Sequence, residues 1–156
     1  MSGTRSADAE VSARGRRIAV VASRFNDLIV AGLVQGATAT WVARGGAESE
    51  LPVFRVPGAF ELPLAARRLA LGGRYEAVVA LGCVIRGDTP HFGYVAGECA
   101  RGLQQVSLET GVPVAFGVLT VESLEQAQQR AASGAGNKGG EAMDSALEMA
   151  ALLARL

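Results

Sequence analysis

The sequence predicts an α/β fold: a parallel sheet of four strands covered by helices on both faces, in three layers. Three observations carry it. Short β-branched runs alternate with segments of helical period four times between Arg17 and Leu156. The run "AVVALGCVI" (Ala77 to Ile85) is apolar on both faces, as a strand inside a parallel sheet must be. And 156 residues give room for one real core and not for two ordinary ones.

The elements follow in order. "RIAVVA" (Arg17 to Ala22) reads as the first strand, polar "SRFND" as a connection, and Leu28 to Arg44 as a helix. "ELPVFRV" (Glu50 to Val56) is a second strand, with Pro52 near its start suggesting an edge position because proline cannot donate to a ladder. "PGAFE" leads into a helix that stops at Gly72 and Gly73. After the third strand, Thr89 can cap a helix and Pro90 suits its first turn; Phe92, Val95, Ala96, Cys99, Leu103 and Val106 form its apolar stripe. Gly111 and Pro113 end it. "VPVAFGVLT" (Val112 to Thr120) is the fourth strand, and two closing helices are divided by "SGAGNKGG" (Ser133 to Gly140). The opening "MSGTRSADAEVSARGRR" is polar and aperiodic, so residues 1–16 read as a disordered tail before a single domain over 17–156.

Composition excludes several function classes. Fifteen acidic and fifteen basic residues cancel, so no global field attracts nucleic acid or an anionic membrane surface. Apolar stretches are too short for a membrane span and no signal-peptide core follows the start. Two cysteines and one histidine are too few for a disulfide framework or a structural zinc site, and a reduced, cytoplasmic setting is expected. Hydrophobic residues at 49% are rich for a monomer of this size and point both to a tight interior and to subunit interfaces.

The one histidine gives the site hypothesis. His91 lies in the first turn of a helix, beside free backbone N–H groups that favour an anion. In an open α/β sheet ligands collect at the carboxyl ends of the strands, where "SRFN", "PGAFE", "IRGDTPH" and the end of "AFGVLT" all fall. Each residue there also has a plainer reading. His91 is equally a helix-terminal residue bonded to a carbonyl. Phe25 is a staple under the sheet or a platform for a flat ligand, and packing is the better sequence reading. Glu61 suits an ordinary first-turn carboxylate, and Arg130 a solvated helix end before a phosphate clamp. "GAGNKGG" lacks the ending of a phosphate-binding P-loop, no G-x-G-x-x-G follows the first strand, no serine sits in a G-x-S-x-G elbow, and "RGD" abuts a buried strand.

Taken together, "SRFN", "VPGAFELP", "LGCVIRGDTPHFGYV", "FGVLTVESLEQAQQRA" and "GNKGGEAM" resemble the lumazine synthase family over Arg17 to Leu156. The resemblance implies a flavodoxin-like α/β sandwich that assembles into pentamers, and a reaction without metal or cofactor. The expected substrates are 5-amino-6-(D-ribitylamino)uracil and 3,4-dihydroxy-2-butanone 4-phosphate. It implies that Phe25 stacks on the pyrimidine, Ala59, Phe60 and Glu61 meet the ribityl chain, and Cys83, Val84 and Ile85 line the ring pocket. Asp88, where the family varies, and Thr89 would bind the phosphate end, and His91 would move protons. Phe116 and Arg130 would come from the neighbouring subunit, with Lys138 and Glu141 as further contacts. Riboflavin synthase is a candidate partner. The short link Ala131 to Gly140, with no insertion and no proline, favours a closed sixty-subunit shell over a free pentamer. A module that holds a lumazine without turning it over, and a shell-forming structural protein, are the competing classes; His91 and Arg130 together favour the enzyme.

Overall fold

The computed structural model describes residues 11–156. Its four strands, β1 (Ile18–Ser23), β2 (Val53–Val56), β3 (Ala77–Ile85) and β4 (Val114–Val121), form one sheet in the order β2-β1-β3-β4. Every pairing is parallel: Val20 faces Val53, Val20 faces Val79, and Val78 faces Val114. The five helices are α1 (Asp27–Ala43), α2 (Leu62–Leu71), α3 (His91–Thr110), α4 (Leu124–Ala131) and α5 (Lys138–Leu153).

The helices divide between the faces as the apolar patterns demand. Ile18, Val20 and Ala22 of β1 and Ala77, Val79 and Leu81 of β3 pack into one core with Leu33 and Trp41 of α1 and Met143 and Leu147 of α5. The alternate residues, Val21, Val78 and Ala80, face a second core built on Leu62 and Ala66 of α2 and Cys99 and Leu103 of α3. This is the three-layer α/β/α sandwich of the flavodoxin-like class. β3 sits between β1 and β4 and is buried from Ala77 to Val84, as its two-faced apolar run requires. Trp41, fully buried, donates its indole N–H to the Ala47 carbonyl at 2.7 Å. α1 and α5 lie unusually close, because a Cβ on Gly139 would overlap the Leu33 backbone. The expected helix stop is present: Gly111 adopts φ 73° and its N–H bonds the Ser107 carbonyl.

Two boundaries differ from the sequence reading. β2 is shorter than Glu50–Val56, because Glu48–Glu50 closes a 3₁₀ turn and Pro52 has no N–H to pair; its carbonyl still accepts from Val20. β2 does lie at the sheet edge. Of the expected tail, residues 1–10 lie outside the described residues, whereas the stretch just before Arg17 is tied to the fold. Ala13 is 1% exposed and donates its N–H to the Arg44 carbonyl, and Arg16 pairs with Glu76 at 2.9 Å. Ala13 and Val11 supply apolar contacts at the first core that a composition-based reading of a polar segment does not register. No helix among the described residues is long and apolar enough to cross a membrane.

Candidate active site

All four strands point their carboxyl ends the same way, and the segments leaving β1, β2 and β3 meet there around a cleft of about 640 Å³. The connection after β1 is fixed first. The N–H groups of Arg24 and Phe25 donate to the carbonyls of Val56 and Pro57 at 2.8 and 3.0 Å. Asn26 takes the left-handed conformation (φ 62°) and its side-chain amide donates to the Cys83 carbonyl at 2.9 Å. This ties the loop to the ends of both neighbouring strands. Phe25 is thereby held 71% exposed at the cleft wall. That exposure corrects the packing reading: the ring belongs to neither core and lines the open cleft.

The opposite walls come from the ends of β2 and β3. A 3₁₀ turn, Ala59–Glu61, precedes α2 and sets Phe60 and Glu61 into the opening with Ala59 buried beneath them. Cys83, Val84 and Ile85 form the floor. Burial pushes the Cys83 thiol up from 9.0 to about 11, so it is neutral and unreactive as a nucleophile near pH 7. At the start of α3, Thr89 Oγ1 accepts from the His91 N–H at 3.4 Å, and His91 is the first helical residue. Among the described residues no carbonyl or carboxylate holds its imidazole, which opens onto the cleft. The helix-terminal reading, in which the ring caps a carbonyl, fails.

The remaining expected residues do not join them. Phe116, Arg130, Lys138 and Glu141 line a second cleft of about 340 Å³, with Thr120, Val121 and Ser145, along the outer edge strand β4. The sequence reading had the end of "AFGVLT" converge with the other three segments; β3 intervenes and β4 faces a different opening. Arg130, in the last turn of α4, is half-buried and gives one N–H to the Gln126 carbonyl at 3.1 Å. Lys138 pairs with Glu141 at 2.9 Å. Asp88 is exposed in the loop between Gly87 and Thr89 and lines neither cleft.

The model of the family described as 6,7-dimethyl-8-ribityllumazine synthase matches residues 15–154. A 6,7-dimethyl-8-ribityllumazine synthase of Chlorobium chlorochromatii (strain CaD3) is 54% identical over 139 residues, covering 89% of this chain and 90% of the relative. The chain belongs to the 6,7-dimethyl-8-ribityllumazine synthase family. Against that background the site holds residues the sequence reading passed over. Tyr94, three residues after His91 on the same helical face, lines the first cleft off the apolar stripe, and Phe92 lines it as well as supporting the core. Arg86 lies 4.5 Å over the Phe92 ring and pairs with Glu122 at 2.8 Å, bracing the loop that carries Thr89. The i, i+3 spacing of His91 and Tyr94 was a usable signal; the Arg86–Glu122 contact joins two strand ends and had none.

Proposed function

We propose that the chain condenses 5-amino-6-(D-ribitylamino)uracil with 3,4-dihydroxy-2-butanone 4-phosphate, giving 6,7-dimethyl-8-ribityllumazine, inorganic phosphate and water. One observation carries the reading. The aromatic and apolar residues expected around a pyrimidine line one cleft, the cationic residues expected around a phosphate line another, and the two open at different places on one chain. A complete site then forms when the first cleft of one subunit faces the second cleft of its neighbour.

Each side chain follows from that arrangement. The Phe25 ring stacks on the pyrimidine, and Ala59, Phe60 and Glu61 meet the ribityl chain. Cys83, Val84 and Ile85 give the ring an apolar floor. Thr89 and the N-terminal turn of α3 receive the phosphate end, with the neighbour's Arg130 completing the anion site and its Phe116, Lys138 and Glu141 closing the wall. The arylamine is already neutral and nucleophilic near pH 7, so it attacks the ketone without a strong base. Holding both substrates in register supplies up to roughly 7–11 kcal/mol in favourable cases. Loss of water, expulsion of phosphate and ring closure then need protons moved, and His91 stands beside the position where phosphate leaves. A positioned general acid–base contributes about 10²–10⁴-fold.

The same reading makes the protein an oligomer in the cytoplasm, with a cyclic pentamer as its unit and a sixty-subunit shell as its closed form. Leu28, Leu108 and Leu124 are exposed, as interface residues are before assembly. The link between α4 and α5 is tight, with Gly134 and Gly136 at φ 98° and 93°. Riboflavin synthase, the consumer of a lumazine product, is the partner this assembly suits. Mixing purified protein with both substrates and following lumazine absorbance together with released phosphate tests the function. Equal amounts of the two are expected. Tight lumazine binding with no turnover would replace the enzyme with a carrier.

A further inference from the structure

Asn137, 3% exposed, stands where α1, α4 and α5 meet behind the second cleft. Its amide nitrogen donates to the carbonyls of Gly32 on α1 (3.1 Å), Ala131 at the end of α4 (3.0 Å) and Ala132 just beyond it (3.1 Å). Its Oδ1 accepts from the N–H groups of Gly139 and Gly140 at 2.9 and 3.1 Å. Four of those partners, Ala131, Ala132, Gly139 and Gly140, are helix-end groups: the first turn of a helix leaves donors without an intrahelical acceptor, and the last turn leaves carbonyls without a donor. One buried amide therefore closes the end of α4, caps the start of α5 and ties both to α1. The space is exact enough that a Cβ on Gly36 would overlap the amide.

The two helix ends joined in this way carry the cationic wall. Arg130 immediately precedes Ala131, and Lys138 and Glu141 stand in the first turn of α5. We propose that Asn137 is a positioning residue for phosphate recognition: it fixes Arg130 and Lys138 relative to each other without touching substrate. The proposal rests on the reading that this cleft receives the phosphate-bearing substrate.

The test uses Asn137→Asp and Asn137→Ser in the assembled protein. Both keep an acceptor for Gly139 and Gly140, and aspartate sets an oxygen against the three carbonyls that the amide nitrogen served. In Asn137→Asp, the inhibition constant of inorganic phosphate and KM for the butanone phosphate should each rise about 5-fold or more, with KM for the pyrimidine within about 2-fold of the parent. Asn137→Ser should move in the same direction. A purely structural residue would lower thermal stability and the assembled fraction but leave the phosphate affinity of that fraction unchanged. That result, a parallel rise in both KM values, or failure of both variants to assemble would overturn the positioning role. Turnover by the unaltered protein reports separately on the function itself.

Discussion

If a complete site joins two subunits, defects in the two clefts should complement each other. His91→Ala removes proton transfer but leaves Phe25 and the cleft floor, so kcat should fall about 10-fold or more with pyrimidine binding retained. Arg130→Ala removes a guanidinium that spends one N–H on the Gln126 carbonyl and has the others free for a ligand. A charge-assisted contact to phosphate is worth roughly 1.5–3 kcal/mol, which at 1.4 kcal/mol per factor of ten is a rise of about 10- to 150-fold in KM for the phosphate substrate. When equal amounts of the two variants are refolded together, a site is intact only where the first cleft belongs to an Arg130→Ala chain and the second to a His91→Ala chain. In a ring of randomly mixed head-to-tail contacts that is about one site in four, so about a quarter of parental activity should return at low phosphate substrate. Native mass spectrometry establishes that the chains have mixed. Activity no higher than the average of the two variants, in confirmed mixed assemblies, would refute the shared site.

Phe25→Ala should raise KM for the pyrimidine by roughly 5- to 150-fold, the value of about 1–3 kcal/mol for one lost stacking partner, with little change in Tm because the ring is exposed; an unchanged KM by steady-state kinetics would return Phe25 to a bystander. Asn26→Ala loses the bond to the Cys83 carbonyl and strains a left-handed residue, costing about 2 kcal/mol, whereas Asn26→Gly loses the bond alone, about 1 kcal/mol. Thermal unfolding should therefore rank glycine above alanine, and equal Tm values would contradict the strain. Burial raises Cys83 and Cys99 from 9.0 to about 11, so the folded state holds two protons that the unfolded chain has released between those values. Stability from this source is complete below pH 9 and lost toward pH 11. Chemical unfolding across that range should show a shallower decline in a Cys83→Ala/Cys99→Ala variant, and native thiols should resist alkylation at pH 8.

The fold was legible because its signals are local. Alternating runs, a strand apolar on both faces and glycines after helices all act within a few residues, and each survives in the structure. The misreadings have a common cause in contacts across the chain. Ala13 looks like part of a polar tail because the carbonyl it bonds belongs to Arg44. Phe25 looks like packing because nothing near it in sequence says that Pro57 and Cys83 hold its loop outward. The two openings were hidden from a residue-by-residue reading in the same way, and only the family resemblance set Phe116 apart: Phe116 and Cys83 lie on paired strands, yet they line different clefts. Asn137 shows the limit most clearly, since its partner on α1, Gly32, is 105 residues away.

The composite site is tested most directly by electron cryomicroscopy of the assembled protein with the pyrimidine substrate and inorganic phosphate bound. The expected map shows a five-membered ring, within a sixty-subunit shell. In each site the pyrimidine stacks on Phe25 of one subunit, and phosphate lies within hydrogen-bond distance of Thr89 of that subunit and Arg130 of the next. Phosphate held by Thr89 with Arg130 of every neighbour turned away from it, or both ligands bound within a single chain, would contradict the account.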